Sequence, residues 1–88
     1  MVTKTIVIQN KLGMHMRPVQ KFVKMATAYP CTVELIHKGH IIDAKSIMNL
    51  LAACIKSGDS VELRCTGDRE QEALTALAEL AESRFGEA

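Results

Sequence analysis

The chain has 88 residues, a formal net charge of +1 and an apolar fraction of 48%, enough for one folded core and too little for a second. No stretch reaches the roughly 20 apolar residues a membrane span requires, and so balanced a charge argues against nucleic acid as a partner. Three cysteines without C-x-x-C spacing, Cys31, Cys54 and Cys65, read as reduced, mostly buried thiols of a cytoplasmic protein, and the opening Met1-Val2-Thr3-Lys4 lacks a signal-peptide pattern.

Residues 2–9 are β-branched and roughly alternating, which predicts a first strand with Ile6 and Ile8 inward and Val7 outward. Residues 10–13 connect it to a helix over 16–28, whose stripe Val19, Phe22, Val23 and Ala26 keeps helical spacing. Lys21 and Lys24 lie off that stripe, and Tyr29-Pro30 ends the helix because proline pushes the preceding residue out of the helical region. A second strand over 31–37 carries Val33 and Leu35 on one face. Lys38-Gly39 is a two-residue turn into a third strand over 40–44. Ser46 is placed to cap a short helix over 47–53. After the loop 56–59, residues 60–66 alternate strictly, with Val61, Leu63 and Cys65 inward.

Gly67-Asp68 is expected to open the last helix, with Gln71 three residues after Asp68 in a capping-box arrangement. Leu74, Leu77, Ala78, Ala81 and Phe85 form its buried stripe, Glu70, Glu72, Glu79 and Glu82 point away, and the tail from Gly86 is expected to fray. The order βαββαβα, with helices spaced among short strands, predicts a two-layer α+β sandwich over a single domain, 1–88.

The chemistry concentrates in Leu12-Gly13-Met14-His15-Met16-Arg17-Pro18. Proline is tolerated only in the first helical turn, so Pro18 places the helix start near residues 15–16 and His15 at or beside the N-cap. The free N–H groups there and the positive end of the helix dipole attract an anion. Arg17 adds a forked, permanent charge suited to phosphate. The same helix end disfavours imidazolium and keeps a ring nitrogen nucleophilic. A histidine that carries a phosphoryl group is the reading; the plainer one is a cap or a solvated loop residue.

The run Lys11-Leu12-Gly13-Met14-His15-Met16-Arg17-Pro18 resembles the active-site signature of the HPr family, histidine phosphocarriers of the phosphoenolpyruvate-dependent phosphotransferase system. Lys45-Ser46-Ile47-Met48 resembles that family's regulatory serine region, and the resemblance extends over essentially the whole chain. It implies an open-faced sandwich of a four-stranded antiparallel sheet covered on one face by three helices. It also implies phosphorylation of His15 on Nδ1 with Arg17 stabilising the phosphate, and regulatory phosphorylation of Ser46 by an ATP-dependent HPr serine kinase/phosphorylase. The implied partners are enzyme I, enzyme IIA-type proteins and a possible transcription regulator, met by a monomeric carrier rather than an enzyme, with no cofactor or metal.

A docking face is expected from Met14, Met16, Ile47 and Met48, flexible side chains that fit several partners in turn, together with Gln20, Lys24 and Leu51. Ser46 also has a plain reading, a helix cap followed by core residues. Met16 and Val19 stand where the family usually has alanines, and Asn49 where it often has glycine. Residues 10–14 and Arg84-Phe85 look like the nitrogen-branch paralogue NPr, which leaves the branch open. A regulatory module acting through phosphorylated Ser46 is the competing class. A small acid–base enzyme is disfavoured, since no motif places a second catalytic group and so short a chain offers little pocket volume. His37 and His40 flank a turn, but two ligands do not make a metal site. No acidic or cysteine partner is placed beside them, and exposed hairpin histidines are expected.

Overall fold

A computed structural model describes residues 1–87. The elements follow the predicted order: β1 (Val2–Val7), α1 (Met16–Thr27), β2 (Thr32–His37), β3 (His40–Asp43), α2 (Ile47–Ala52), β4 (Ser60–Thr66) and α3 (Glu70–Glu82). A 3-10 turn over Arg84–Gly86 follows α3. The strands form one sheet in the order β1-β4-β2-β3, every neighbour antiparallel. Alternation sorts its faces. Ile6, Val33, Leu35, Ile42, Val61, Leu63 and Cys65 are buried, whereas the opposite face carries Thr32, Glu62 and the Arg64–Glu34 pair at 3.4 Å. This is the open-faced α+β sandwich, its helices packed on the apolar side. The α1 stripe of Val19, Phe22, Val23 and Ala26 is buried as its spacing predicts. The rings of Phe22 and Phe85 pack in the core in a tilted arrangement, 6.4 Å apart with 59° between their planes.

Several local expectations need correction. The capping box of Asp68 and Gln71 does not form. Arg69 takes a left-handed conformation (φ 61°) that starts α3 at Glu70, and the Glu70 carboxylate accepts the Gly67 N–H at 3.0 Å. That bond, then the Met1 ammonium 3.0 Å away, holds the Glu70 carboxyl below the usual range, so Glu70 does not simply point to solvent. Gln71 instead donates to Thr75 Oγ1 at 3.3 Å. Phe85 is buried but not on α3: the helix has ended, and Arg84 and Phe85 are both left-handed (φ 58° and 54°). Lys21 is solvated along its stem yet donates to the Phe85 carbonyl at 2.7 Å.

His37 is not an exposed hairpin residue. It shares the inward parity of Val33 and Leu35, is buried, and bonds Asp59 Oδ2 through Nε2 at 3.0 Å, the acidic partner that local spacing did not place. His40, across the two-residue turn, is exposed. Cys31 and Cys65 are buried and Cys54 is exposed. Burial, with Cys31 alongside, pushes the Cys65 thiol up to about 11, which leaves it protonated and unreactive at neutral pH.

Candidate functional site

His15 is the N-cap of α1, with extended backbone (φ −83°, ψ −173°) and a carbonyl that accepts the Val19 N–H at 3.1 Å. Its ring is not used as a cap, so the side chain is free to act elsewhere. Pro18 occupies the third helical position and contributes no N–H. The first-turn donors are therefore those of Met16 and Arg17, which have no carbonyl four residues back inside the helix.

The loop that delivers His15 is held from below. Gly13 has φ +66°, and its backbone lies so close to the 55–57 loop that a Cβ would come within 2.7 Å of the Ile55 carbonyl oxygen. Met14 N–H donates to that same oxygen at 3.0 Å, and Gly13 N–H to the Asn10 carbonyl at 3.0 Å. Asn10 is fully buried, and its side-chain amide donates to the Gly13 carbonyl.

The ring itself is engaged on one side. His15 Nε2 lies 3.1 Å from Glu87 Oε1, and the Asn10 Nδ2 group donates to the same oxygen at 3.2 Å. The His15 bond, then Asn10 and the nearby Arg17 charge, hold the Glu87 carboxyl below its usual range despite some burial. Among the described residues, Nδ1 has no hydrogen-bond partner. A shallow hollow opens beside the ring, lined by Lys11, Leu12, His15, Arg17, Lys21, Gly86 and Glu87. It gathers three basic side chains, the charge an incoming phosphate needs.

Ser46 is the N-cap of α2, its Oγ accepting the Asn49 N–H at 3.2 Å. The expected docking face is assembled in part. Met16, Ile47 and Met48 are exposed, Met48 most of all at 76%, and Gln20 and Lys24 are exposed on α1. Leu51 is half-buried against the core. Met14 is the exception. It is 4% exposed and belongs to the core, because the bond from its N–H to Ile55 turns it inward. Leu12, 71% exposed on the rim of the hollow, takes its place at the surface. Sequence reasoning included Leu12 in the histidine motif but did not place it at this surface, since a lone apolar loop residue carries no periodic signal; it did not place Glu87 beside His15, because the two lie far apart along the chain. Among the described residues no group of three or more His, Cys, Asp or Glu could hold a metal, and no helix is long and apolar enough to cross a membrane.

Residues 2–83 match the family model PTS-HPr, described as the PTS HPr component phosphorylation site. The phosphocarrier protein HPr of Pseudomonas aeruginosa is 42% identical over 83 residues, covering 93% of this chain and 92% of that protein. The corresponding protein of Xylella fastidiosa is 34% identical over 87 residues, covering 99% and 98%. A crystal structure of HPr from Thermoanaerobacter tengcongensis superposes with a TM-score of 0.97 at 39% identity, covering 100% of this chain and 99% of that one.

Proposed function

The chain belongs to the HPr family of phosphotransferase-system phosphocarriers, and on that premise we propose that His15 takes up the phosphoryl group and passes it on. The observation that carries this reading is the state of the ring: Nε2 is occupied by Glu87, while Nδ1 has no partner among the described residues, on a histidine that caps α1 and lines one hollow with Arg17. The Nδ1 lone pair attacks phosphorus, and the bond from phosphorus to the donor breaks with its electron pair returning to the donor. The Arg17 guanidinium and the N–H groups of Met16 and Arg17 neutralise the phosphoryl oxygens throughout. Enzyme I, charged by phosphoenolpyruvate, is the donor, and an enzyme IIA-type protein is the acceptor. The chain is a monomeric cytoplasmic carrier of a covalent group, and the chemistry requires no cofactor.

Leu12, Met16, Ile47 and Met48 supply the apolar surface for these partners, with Gln20 and Lys24 at its edge and Leu51 beneath it. Ser46 sits beside Ile47 and Met48 and is the regulatory position for a serine kinase/phosphorylase. A phosphate there adds about −1.5 to −2 charges to a surface that partners must desolvate. A regulatory branch, in which the carrier signals through Ser46 or to a transcription regulator, uses the same surface.

Intact-mass measurement after incubation with enzyme I and phosphoenolpyruvate tests the carrier reading. One acid-labile phosphate in the wild-type chain and none in His15→Ala is expected; acid-labile phosphate retained in His15→Ala removes His15 from the role. A second incubation with serine kinase and ATP tests Ser46 in the same way, an acid-stable phosphate lost in Ser46→Ala being the expected result.

A further inference from the structure

Glu87 lies outside the matched residues 2–83, yet the fold spends unusual backbone to deliver it. Arg84 and Phe85 are consecutive non-glycine residues in the left-handed region, a conformation that costs energy and persists only where surrounding structure imposes it. Phe85 is clamped in the core against Phe22, and Lys21 holds its carbonyl. The chain is thereby turned back toward α1, and the Glu87 carboxylate arrives on the ring edge of His15 opposite the free nitrogen.

An ionised carboxylate only accepts hydrogen bonds. Its contact at 3.1 Å therefore requires the hydrogen to sit on Nε2, and that tautomer leaves the lone pair on Nδ1. Asn10 fixes the carboxylate in turn. Its amide donates both to Glu87 and to the carbonyl of Gly13, the residue that anchors the histidine loop. Carboxylate, ring and loop are thus referenced to one buried amide.

We infer that Glu87, held by Asn10, is a positioning residue that keeps the proton on Nε2 of His15 through both halves of phosphoryl transfer. This rests on the reading of His15 as the phosphoryl acceptor. In the first half, Nδ1 bonds to phosphorus, the donor recovers the electron pair of the broken bond, and the ring becomes a cation that still carries its Nε2 proton. The Glu87 carboxylate faces that cation directly. In the second half the bond from phosphorus to Nδ1 breaks, the electron pair returns to Nδ1, and the ring leaves as neutral imidazole. No proton has to be gained or lost. Were the Nε2 proton released in between, the leaving group would be an imidazolate anion, a far poorer one. The other charged groups facing the hollow are Lys11 from the loop and Arg17 and Lys21 from α1. All three are cationic and favour loss of that proton, which makes Glu87 the group that retains it.

The test uses the full chain as wild type, Glu87→Gln and Glu87→Ala. Nitrogen-15 NMR of the unphosphorylated His15 ring reads the tautomer without any phosphoryl donor. The wild-type ring is expected predominantly as the Nε2–H form, and Glu87→Ala as a mixture. Onward transfer from the phosphorylated chains is then followed against pH. At about pH 8.5 both variants should transfer about 3–10-fold more slowly than wild type, with the rates converging near pH 6, because removal of a facing negative charge favours deprotonation of the ring. A residue that merely shapes the tail would leave Glu87→Gln, nearly isosteric, with the wild-type pH profile. That result, or a wild-type ring that is already a mixture of tautomers, overturns the inference. Failure of wild-type His15 to accept phosphate at all would overturn the carrier reading and the transfer role of Glu87 with it, a different outcome from a normal carrier indifferent to Glu87.

Discussion

Replacement of Gly13 by alanine tests whether the histidine loop is set by its close approach to the 55–57 loop. Two costs add. The left-handed φ of +66° disfavours any residue with a Cβ, by roughly 1–2 kcal/mol. The added methyl group would lie 2.7 Å from the Ile55 oxygen and 2.9 Å from both Lys56 Cα and Ser57 N, all backbone atoms that no rotamer change can move. Overpacking of that kind costs about 1–3 kcal/mol. Gly39→Ala isolates the first cost, since Gly39 has φ +81° with nothing within 4 Å of its Cβ position. Equilibrium denaturation should place Gly39→Ala about 1–2 kcal/mol below wild type and Gly13→Ala about 2–5 kcal/mol below. For a domain of this size the latter corresponds to a Tm lower by at least about 10 °C. Because the Met14–Ile55 bond must also yield, the His15 ring is displaced. Phosphoryl uptake by the folded fraction should fall by up to about 100-fold, the usual consequence of misplacement near 1 Å. If Gly13→Ala is no less stable than Gly39→Ala, the close approach does not hold the loop.

Ser46→Ala should lose about 0.5–2 kcal/mol by freeing the Asn49 N–H, whereas Ser46→Asp keeps an acceptor there, holds stability and weakens binding to enzyme I. Titrations at low and high salt should recover part of that binding at high salt, and unchanged affinity would leave Ser46 as a cap alone. Arg17→Ala should slow phosphoryl uptake more than it lowers stability, and Arg17→Lys restore it only in part because the planar fork is lost; equal rates for all three chains would refute the cradle. Asp59 accepts the Lys56 N–H at 2.9 Å and the His37 bond at 3.0 Å, in that order of effect, and its carboxyl is held below the ordinary 3.8. A depressed folded value stabilises the fold above the unfolded value and is lost as pH falls through the folded one. The acid limb of a stability-versus-pH curve should therefore flatten below about pH 4 in Asp59→Ala, and a limb identical to wild type would show the pair to be inconsequential.

Periodicity made most of the fold legible. Alternation in Val61-Glu62-Leu63-Arg64-Cys65 and the α1 stripe are reproduced residue by residue, because a buried face enforces its own period. What escaped was set by contacts distant in sequence or by single backbone residues. Phe85 keeps helical spacing from Ala81, so nothing local announces that two left-handed residues end the pattern there. Met14 is apolar beside His15, and only the bond to Ile55 decides that it faces inward. His37 did carry a signal in its shared parity with Val33 and Leu35, outweighed by its place next to a turn. His15, Arg17 and Pro18 were legible as a candidate site because proline marks the helix start, which the structure places at Met16 with His15 as its cap. Glu87 was not, since its partners Asn10 and His15 lie at the opposite end of the chain.

The strand order β1-β4-β2-β3 has a consequence for how the molecule reaches its native state. Only β2 and β3 are joined by a tight turn; β4, placed between β1 and β2, pairs Val2 with Cys65 and Thr32 with Thr66, both remote in sequence. Such pairings pay their loop-closure entropy before contacts reward it, which slows folding relative to helical chains of equal length. The 55–57 loop that seats Gly13 leads directly into β4, and Gly58 N–H is bonded to the Ile8 carbonyl at 2.7 Å. Insertion of β4 into the sheet therefore also clamps the histidine loop, in one cooperative event. Amide hydrogen exchange should give Met14 and the centre of β4 a common opening free energy, and a Met14 amide that exchanges far faster than Leu63 would separate the two.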